Sequence, residues 1–80
     1  MQCLLLYDIA DDRKRTKVAD ACLDFGLHRN QFSAFTGSLQ HTHQEELTAK
    51  IKKILGKKPG NVQLYRLCAE DWARRKVISQ

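Results

Sequence analysis

The segment Cys3-Leu4-Leu5-Leu6-Tyr7-Asp8-Ile9 constrains this chain more than any other. It is short and almost wholly apolar, and it lacks a 3.6-residue repeat, so it reads as a strand. Side chains alternate across a strand, which puts Cys3, Leu5, Tyr7 and Ile9 on one face and Leu4 and Leu6 on the other. A strand that is apolar on both faces has to be covered on both. Asp8 ends the Leu4–Leu6 face with a carboxylate. Asp11, Asp12 and the cations Arg13, Lys14 and Arg15 follow closely.

Eighty residues make one domain, 1–80, with no room for a second core. A chain this short buries only about 60% of its unfolded surface, and association is a common remedy. The net charge of +5 points to an anionic partner, most often nucleic acid. No apolar run approaches the length of a membrane span, and the start Met1-Gln2-Cys3-Leu4 lacks the positive region of a signal peptide. Cys3, Cys22 and Cys68 are odd in number and widely spaced, which reads as reduced thiols in a cytoplasmic protein.

Beyond the first strand, Asp11 or Asp12 is placed to cap a helix. Its apolar stripe is Val18, Ala19, Cys22 and Leu23, with Phe25 near the end and Gly26 as the stop. His28 to Leu39 reads as a strand or a hairpin, with Thr36-Gly37 as the local turn and Phe32-Ser33 as the competitor. Thr42 and Glu45 have the spacing of a capping box. They open a helix with Leu47, Ile51, Ile54 and Leu55 on one side, closed by Gly56 and the turn Lys57-Lys58-Pro59-Gly60. Asn61 to Cys68 is a further strand, with Val62 and Leu64 on one side and Tyr65 and Leu67 on the other. A charged segment, Glu70 to Lys76, then leads to a short apolar tail at Val77-Ile78.

The order β-α-β-β-α-β with a short C-terminal strand is the ferredoxin-like α+β arrangement, two helices on one face of an antiparallel sheet. Two helices leave the Leu4–Leu6 face bare. A symmetric dimer, sheet face to sheet face, covers it at least expense. Asp8 shares parity with Leu4 and Leu6, so two copies of Asp8 would approach one another near the two-fold axis. Close carboxylates repel, and Mg²⁺ or Mn²⁺ relieves the repulsion with a preference for oxygen ligands. The plainer alternative is that Asp8 caps the strand end or pairs with an arginine.

Asp11 and Asp12 invite the metal reading too, but helix capping explains them better. Arg13, Lys14, Arg15 and Lys17 stand in the first turns of a helix, the wrong end for cations in the helix dipole. They suit an incoming phosphate or form a solvated charged face. Lys50, Lys52, Lys53, Lys57 and Lys58 form a second basic cluster with the same two readings. Phe32 and Phe35 beside Arg29 are placed to stack bases, or at least one of them is core. His28, His41 and His43 lack any standard zinc spacing. Cys22 on the apolar stripe is an inert thiol rather than a nucleophile.

Together these residues resemble the CRISPR-associated protein 2 family. The resemblance spans nearly the whole chain. Its anchors are Tyr7-Asp8-Ile9 with Asp11-Asp12, the basic helix start, Gly26-Leu27 with Arg29, and Tyr65-x-Leu67. Gln31-Phe32-Ser33-Ala34-Phe35 with Gly37 and Leu39 is similar to that family's Q-Y-S-V-F-x-G-x-L segment. The resemblance implies a homodimeric Mg²⁺-dependent endonuclease acting on RNA or DNA in spacer acquisition. It implies that two copies of Asp8 share the metal, and it links Tyr7, Arg15, Lys17, Arg29 and Phe35 to nuclease activity. It also implies a partnership with the integrase, CRISPR-associated protein 1, and that residues 76–79 cross to extend the partner protomer's sheet. The alternative within the same family is a non-catalytic adaptor that binds double-stranded DNA. The resemblance puts the hairpin turn at Phe32-Ser33. The chain departs from the pattern at Ala10, at Thr36, at Phe32, which lacks a tyrosine hydroxyl, at Lys17, which lacks the arginine fork, and at the basic turn Lys57-Lys58-Pro59-Gly60.

Overall fold

In the computed structural model, which describes residues 1–80, the two-faced apolar segment forms β1 (Gln2–Asp8). It is followed by α1 (Asp12–Asp24), β2 (His28–Gln31), β3 (Ala34–Ser38), α2 (His41–Leu55), β4 (Asn61–Leu67) and the short α3 (Ala69–Ala73). The strands form one antiparallel sheet in the order β2-β3-β1-β4. This is the ferredoxin-like α+β fold that the element order predicts. No helix is long and apolar enough to cross a membrane.

β1 lies inside the sheet, paired with β3 on one edge and β4 on the other. Its Cys3, Leu5 and Tyr7 are buried together with Ile9, Phe35, Leu47, Ile51, Val18 and Cys22 in one core beneath the helices. The other face of β1 is bare. Leu4 is opposite Thr36 and Tyr65 and Leu6 is opposite Ala34 and Gln63, so these residues share that face. Leu6 and Tyr65 are exposed although both are large and apolar.

α1 starts where the acids allow. Asp11 is the N-cap and its carboxylate accepts from the Lys14 backbone N–H at 3.0 Å. The buried residues of α1 are Val18, Ala19, Ala21 and Cys22. The predicted stripe therefore needs one correction: Leu23 is half exposed and Ala21 takes the inner position. Val18, Ala21, Cys22 and Phe25, spaced i, i+3, i+4 and i+7, describe the inner face better than a stripe ending at Leu23.

The capping box at α2 does not form. Gln40 is the N-cap and contributes no side-chain bond. Gln44 is buried, and its side-chain amide donates to Leu39 O at 3.0 Å, which ties the helix start to the end of β3 without capping it. Thr42 and Glu45 lie inside the helix, both exposed, because α2 begins at His41, before the residue expected to cap it.

The hairpin turn is Phe32-Ser33, as the family resemblance implies, and Thr36-Gly37 lies within β3. Gly37 is needed for close approach rather than for turning. A Cβ there would lie 2.7 Å from Leu27 Cδ2 and 3.2 Å from Leu27 Cα. β4 stops at Leu67 rather than Cys68, whose Sγ instead accepts from the Asp71 N–H to cap α3. The charged segment thus holds a helix. Val77 and Ile78 form no strand in the single chain and are 76% and 84% exposed. A strand exists only through a paired ladder, and the tail pairs with nothing in its own chain.

Gly37→Ala is expected to destabilise the fold by about 1–3 kcal/mol through overpacking against Leu27. Urea unfolding measures this, and an unchanged midpoint would contradict the close-approach explanation.

Candidate functional site

Tyr7 and Asp8 are neighbours in sequence and lie on opposite faces of the sheet. Tyr7 is buried on the helix side, and Asp8 is exposed on the bare side. This alternation separates the residues singled out in the sequence into two groups.

The first group surrounds the turn between β2 and β3. Three donor contacts converge on the carbonyl oxygen of Phe32: Tyr7 O–H at 3.2 Å, Arg29 Nε at 3.1 Å and Arg29 Nη2 at 2.9 Å. Arg29 Nη2 also donates to the Tyr7 hydroxyl at 3.2 Å, and the Tyr7 backbone N–H donates to Ser33 O at 3.1 Å. Carbonyls with several charge-assisted donors are held firmly. The Arg29 guanidinium carbon lies 5.2 Å from the ring centroids of both Phe32 and Phe35. Phe35 is wholly buried and stacks near Tyr7 with centroids 6.1 Å apart. Phe32 is 70% exposed at the turn tip. One phenylalanine is therefore core, and the other faces solvent.

Arg15 joins this group from α1. It donates to Ile9 O at 3.0 Å, pairs with Asp12, and lies 5.8 Å from the Phe32 centroid. The rest of the basic block divides by role. Lys14 Nζ donates to Ile54 O at 2.7 Å, at the C-terminal end of α2. The last carbonyls of a helix lack internal partners and carry the negative end of its dipole. A lysine at the start of α1 is thus a cation at the end of α2, which accounts for its place without a ligand. Arg13 and Lys17 are exposed and make no side-chain hydrogen bond or ion pair within the chain.

Asp8 stands in the second group. It pairs in register with Asn61 at the mouth of β4, and no hydrogen bond or ion pair within the chain uses its carboxylate. Beside it runs a polar track. The Tyr65 hydroxyl donates to Gln63 Oε1, and Gln63 Nε2 donates to Asn61 Oδ1 at 2.9 Å. Neither Asn61 nor Gln63 was legible as a neighbour of Asp8, because only the β1–β4 register puts them there. No cluster of three His, Cys, Asp or Glu side chains capable of holding a metal occurs within the chain. The donor set at Asp8 is hard oxygen, which suits Mg²⁺ or Mn²⁺ rather than zinc, but one chain supplies a single carboxylate.

Burial pushes the Cys22 thiol up to about 11 and raises that of Cys3, which leaves both thiols protonated and poor nucleophiles at neutral pH. His41 faces Glu45 at 3.1 Å, and no zinc arrangement forms.

A family model described as CRISPR associated protein Cas2 matches residues 1–75. The chain is 48% identical over 80 residues to a Chloroflexus aurantiacus protein named CRISPR-associated endoribonuclease Cas2 2, covering all of this chain and 94% of that relative. It is 38% identical over 78 residues to a Desulforudis audaxviator protein named CRISPR-associated endoribonuclease Cas2, covering 98% of this chain and 74% of the other. The crystal structure of Streptococcus pyogenes Cas2 at pH 6.5 superposes with a TM-score of 0.83 at 23% identity, covering 99% of this chain and all of that one. A hypothetical protein from Thermus thermophilus superposes at 0.84 with 24% identity, covering 99% of this chain and 90% of that one. At such identities the two structures establish the shared fold.

Two predictions follow from the basic block and its cap. Lys14→Met is expected to cost about 1–3 kcal/mol by leaving Ile54 O without its charged donor, whereas Lys17→Met stays within about 0.5 kcal/mol. Equal losses in thermal unfolding would refute the division. The carboxyl of Asp11 is held below its ordinary 3.8, first by the Lys14 N–H and then by the charge of Lys58. A folded-state value below the unfolded one contributes stability above the unfolded value and loses it as pH falls through the folded value. Asp11→Ala should therefore lower the midpoint at neutral pH and shrink the drop in midpoint on acidification. An unaltered drop would argue against the cap.

Proposed function

The chain belongs to the CRISPR-associated protein Cas2 family, and from that premise we propose that it is a metal-dependent endonuclease cleaving phosphodiester bonds of RNA or DNA. In this reading it works as a homodimer and bridges the integrase, CRISPR-associated protein 1, during spacer acquisition. Its relatives named endoribonuclease support the nuclease class.

The observation that carries the proposal is the unpartnered carboxylate of Asp8 at the edge of an uncovered apolar face. Leu4, Leu6 and Tyr65 on that face call for a cover of the same character, and a second copy of the chain supplies one. Face-to-face packing brings two Asp8 carboxylates together, completing an oxygen-donor site that one chain leaves incomplete. A divalent ion bound there supplies Lewis-acid stabilisation of charge developing on the phosphate. Arg13 and Lys17, exposed on α1, hold backbone phosphates. Arg15, Arg29, Tyr7 and the buried Phe35 keep the β2–β3 turn in place beside them. Val77 and Ile78 add to the partner's sheet, removing two exposed apolar side chains from water.

A second reading is a non-catalytic adaptor binding double-stranded DNA. It is favoured by the exposed cations Lys50, Lys52, Lys53, Lys57 and Lys58, which lie on and just after α2. The two readings separate at Asp8. Under the nuclease reading, Asp8→Asn abolishes Mg²⁺-dependent cleavage of oligonucleotides, as does a chelator, while binding persists. Cleavage by the Asp8→Asn protein at the unmodified rate would eliminate the metal role. Absence of cleavage in both proteins, with duplex binding intact, would leave the adaptor.

A further inference from the structure

Phe32 and Leu23 are both large, apolar and exposed, at 70% and 50%. They line the same half-open hollow between the β2–β3 turn and α1, with a volume of about 200 Å³. Arg15, Arg29 and Asp20 complete its wall. Two features make this hollow more than a gap. Arg29 has no carboxylate within ion-pair distance, and its Nη1 donates to nothing in the chain. Asp20 likewise takes part in no hydrogen bond or ion pair. An exposed aromatic ring on an anchored turn, a cation with a spare donor and a free acceptor thus border one cavity.

We infer that this hollow is a subsite for a single unpaired nucleotide whose base carries an exocyclic amino group. The base stacks on Phe32, its amino group donates to Asp20, and its phosphate meets Arg29. Base–aromatic stacking tolerates any base. Asp20 adds the discrimination, because a carboxylate accepts from the amino group of cytosine or adenine and finds none on thymine or uracil. The Tyr7–Arg29 clamp on the Phe32 carbonyl orients the turn beforehand, so little ordering remains for the moment of binding. The inference rests on the nucleic-acid reading above and adds a base-specific contact on the helix side of the sheet, away from Asp8.

The test uses the full chain and fluorescence anisotropy with single strands of about six nucleotides: cytosine and thymine as DNA, cytosine and uracil as RNA. A blunt duplex serves as the control. The intact protein should bind the cytosine strands more tightly than the thymine or uracil strands. Phe32→Ala should weaken single-strand binding about tenfold and leave duplex binding unchanged, while Phe32→Tyr retains it. Phe32→Leu should behave as Phe32→Ala, since an aliphatic side chain packs but does not stack. Asp20→Asn should erase the cytosine preference with little change in duplex affinity. If Phe32→Ala or Phe32→Leu binds single strands as the intact protein does, the subsite is refuted while duplex binding upholds the nucleic-acid reading. Absence of a base preference in the intact protein refutes the role of Asp20. Failure of the intact protein to bind any of these nucleic acids overturns both readings.

Discussion

Everything in this fold is arranged around β1, an inner strand with apolar side chains on both faces. Cys3, Leu5 and Tyr7 need the helices above them, and the length of the chain provides only α1, α2 and the five residues of α3. Both long helices go to one face, so Leu4, Leu6 and Tyr65 stay at the surface. The hydrophobic effect is nearly indifferent to what covers a face but not to whether it is covered. An unfinished face is therefore as much a structural statement as a finished core, and Asp8 at its edge inherits whatever environment the cover creates.

The second organising contact is the carbonyl of Phe32. A turn of two residues between short strands is ordinarily among the loosest parts of a small domain. Here Tyr7 from the central strand and Arg29 from β2 both donate to it, and Phe35 supports them from the core. Residues that the family resemblance links to activity thus have a visible mechanical task. They tie a surface turn to the middle of the sheet, and they present an aromatic ring to solvent in a defined place.

Much of this was legible beforehand. The alternation in β1, the cap at Asp11, the stop at Gly26 and the apolar side of α2 are local patterns with local causes. What misled was local pattern with a tertiary cause. Gly37 resembles a turn residue, but it is a strand residue made small by Leu27. Thr42 and Glu45 match a capping box, but α2 starts before them and buries Gln44 instead. Lys14 resembles a misplaced cation until the end of α2 is seen beside it. Leu23 falls on the predicted stripe by spacing, yet α1 buries Ala21 with Val18, Ala19 and Cys22 and leaves Leu23 half exposed.

By itself the sequence determined the kinds of elements and their order, because periodicity, caps and glycine stops act over a few residues. It also determined that one sheet face would lack cover, since two-sided apolarity in β1 exceeds what two helices can bury. The tertiary structure alone decided who meets whom: Asn61 beside Asp8, Lys14 on Ile54, Tyr7 and Arg29 on one carbonyl. Those meetings join residues far apart in the chain, and they follow from strand register and helix docking, which no short-range pattern encodes.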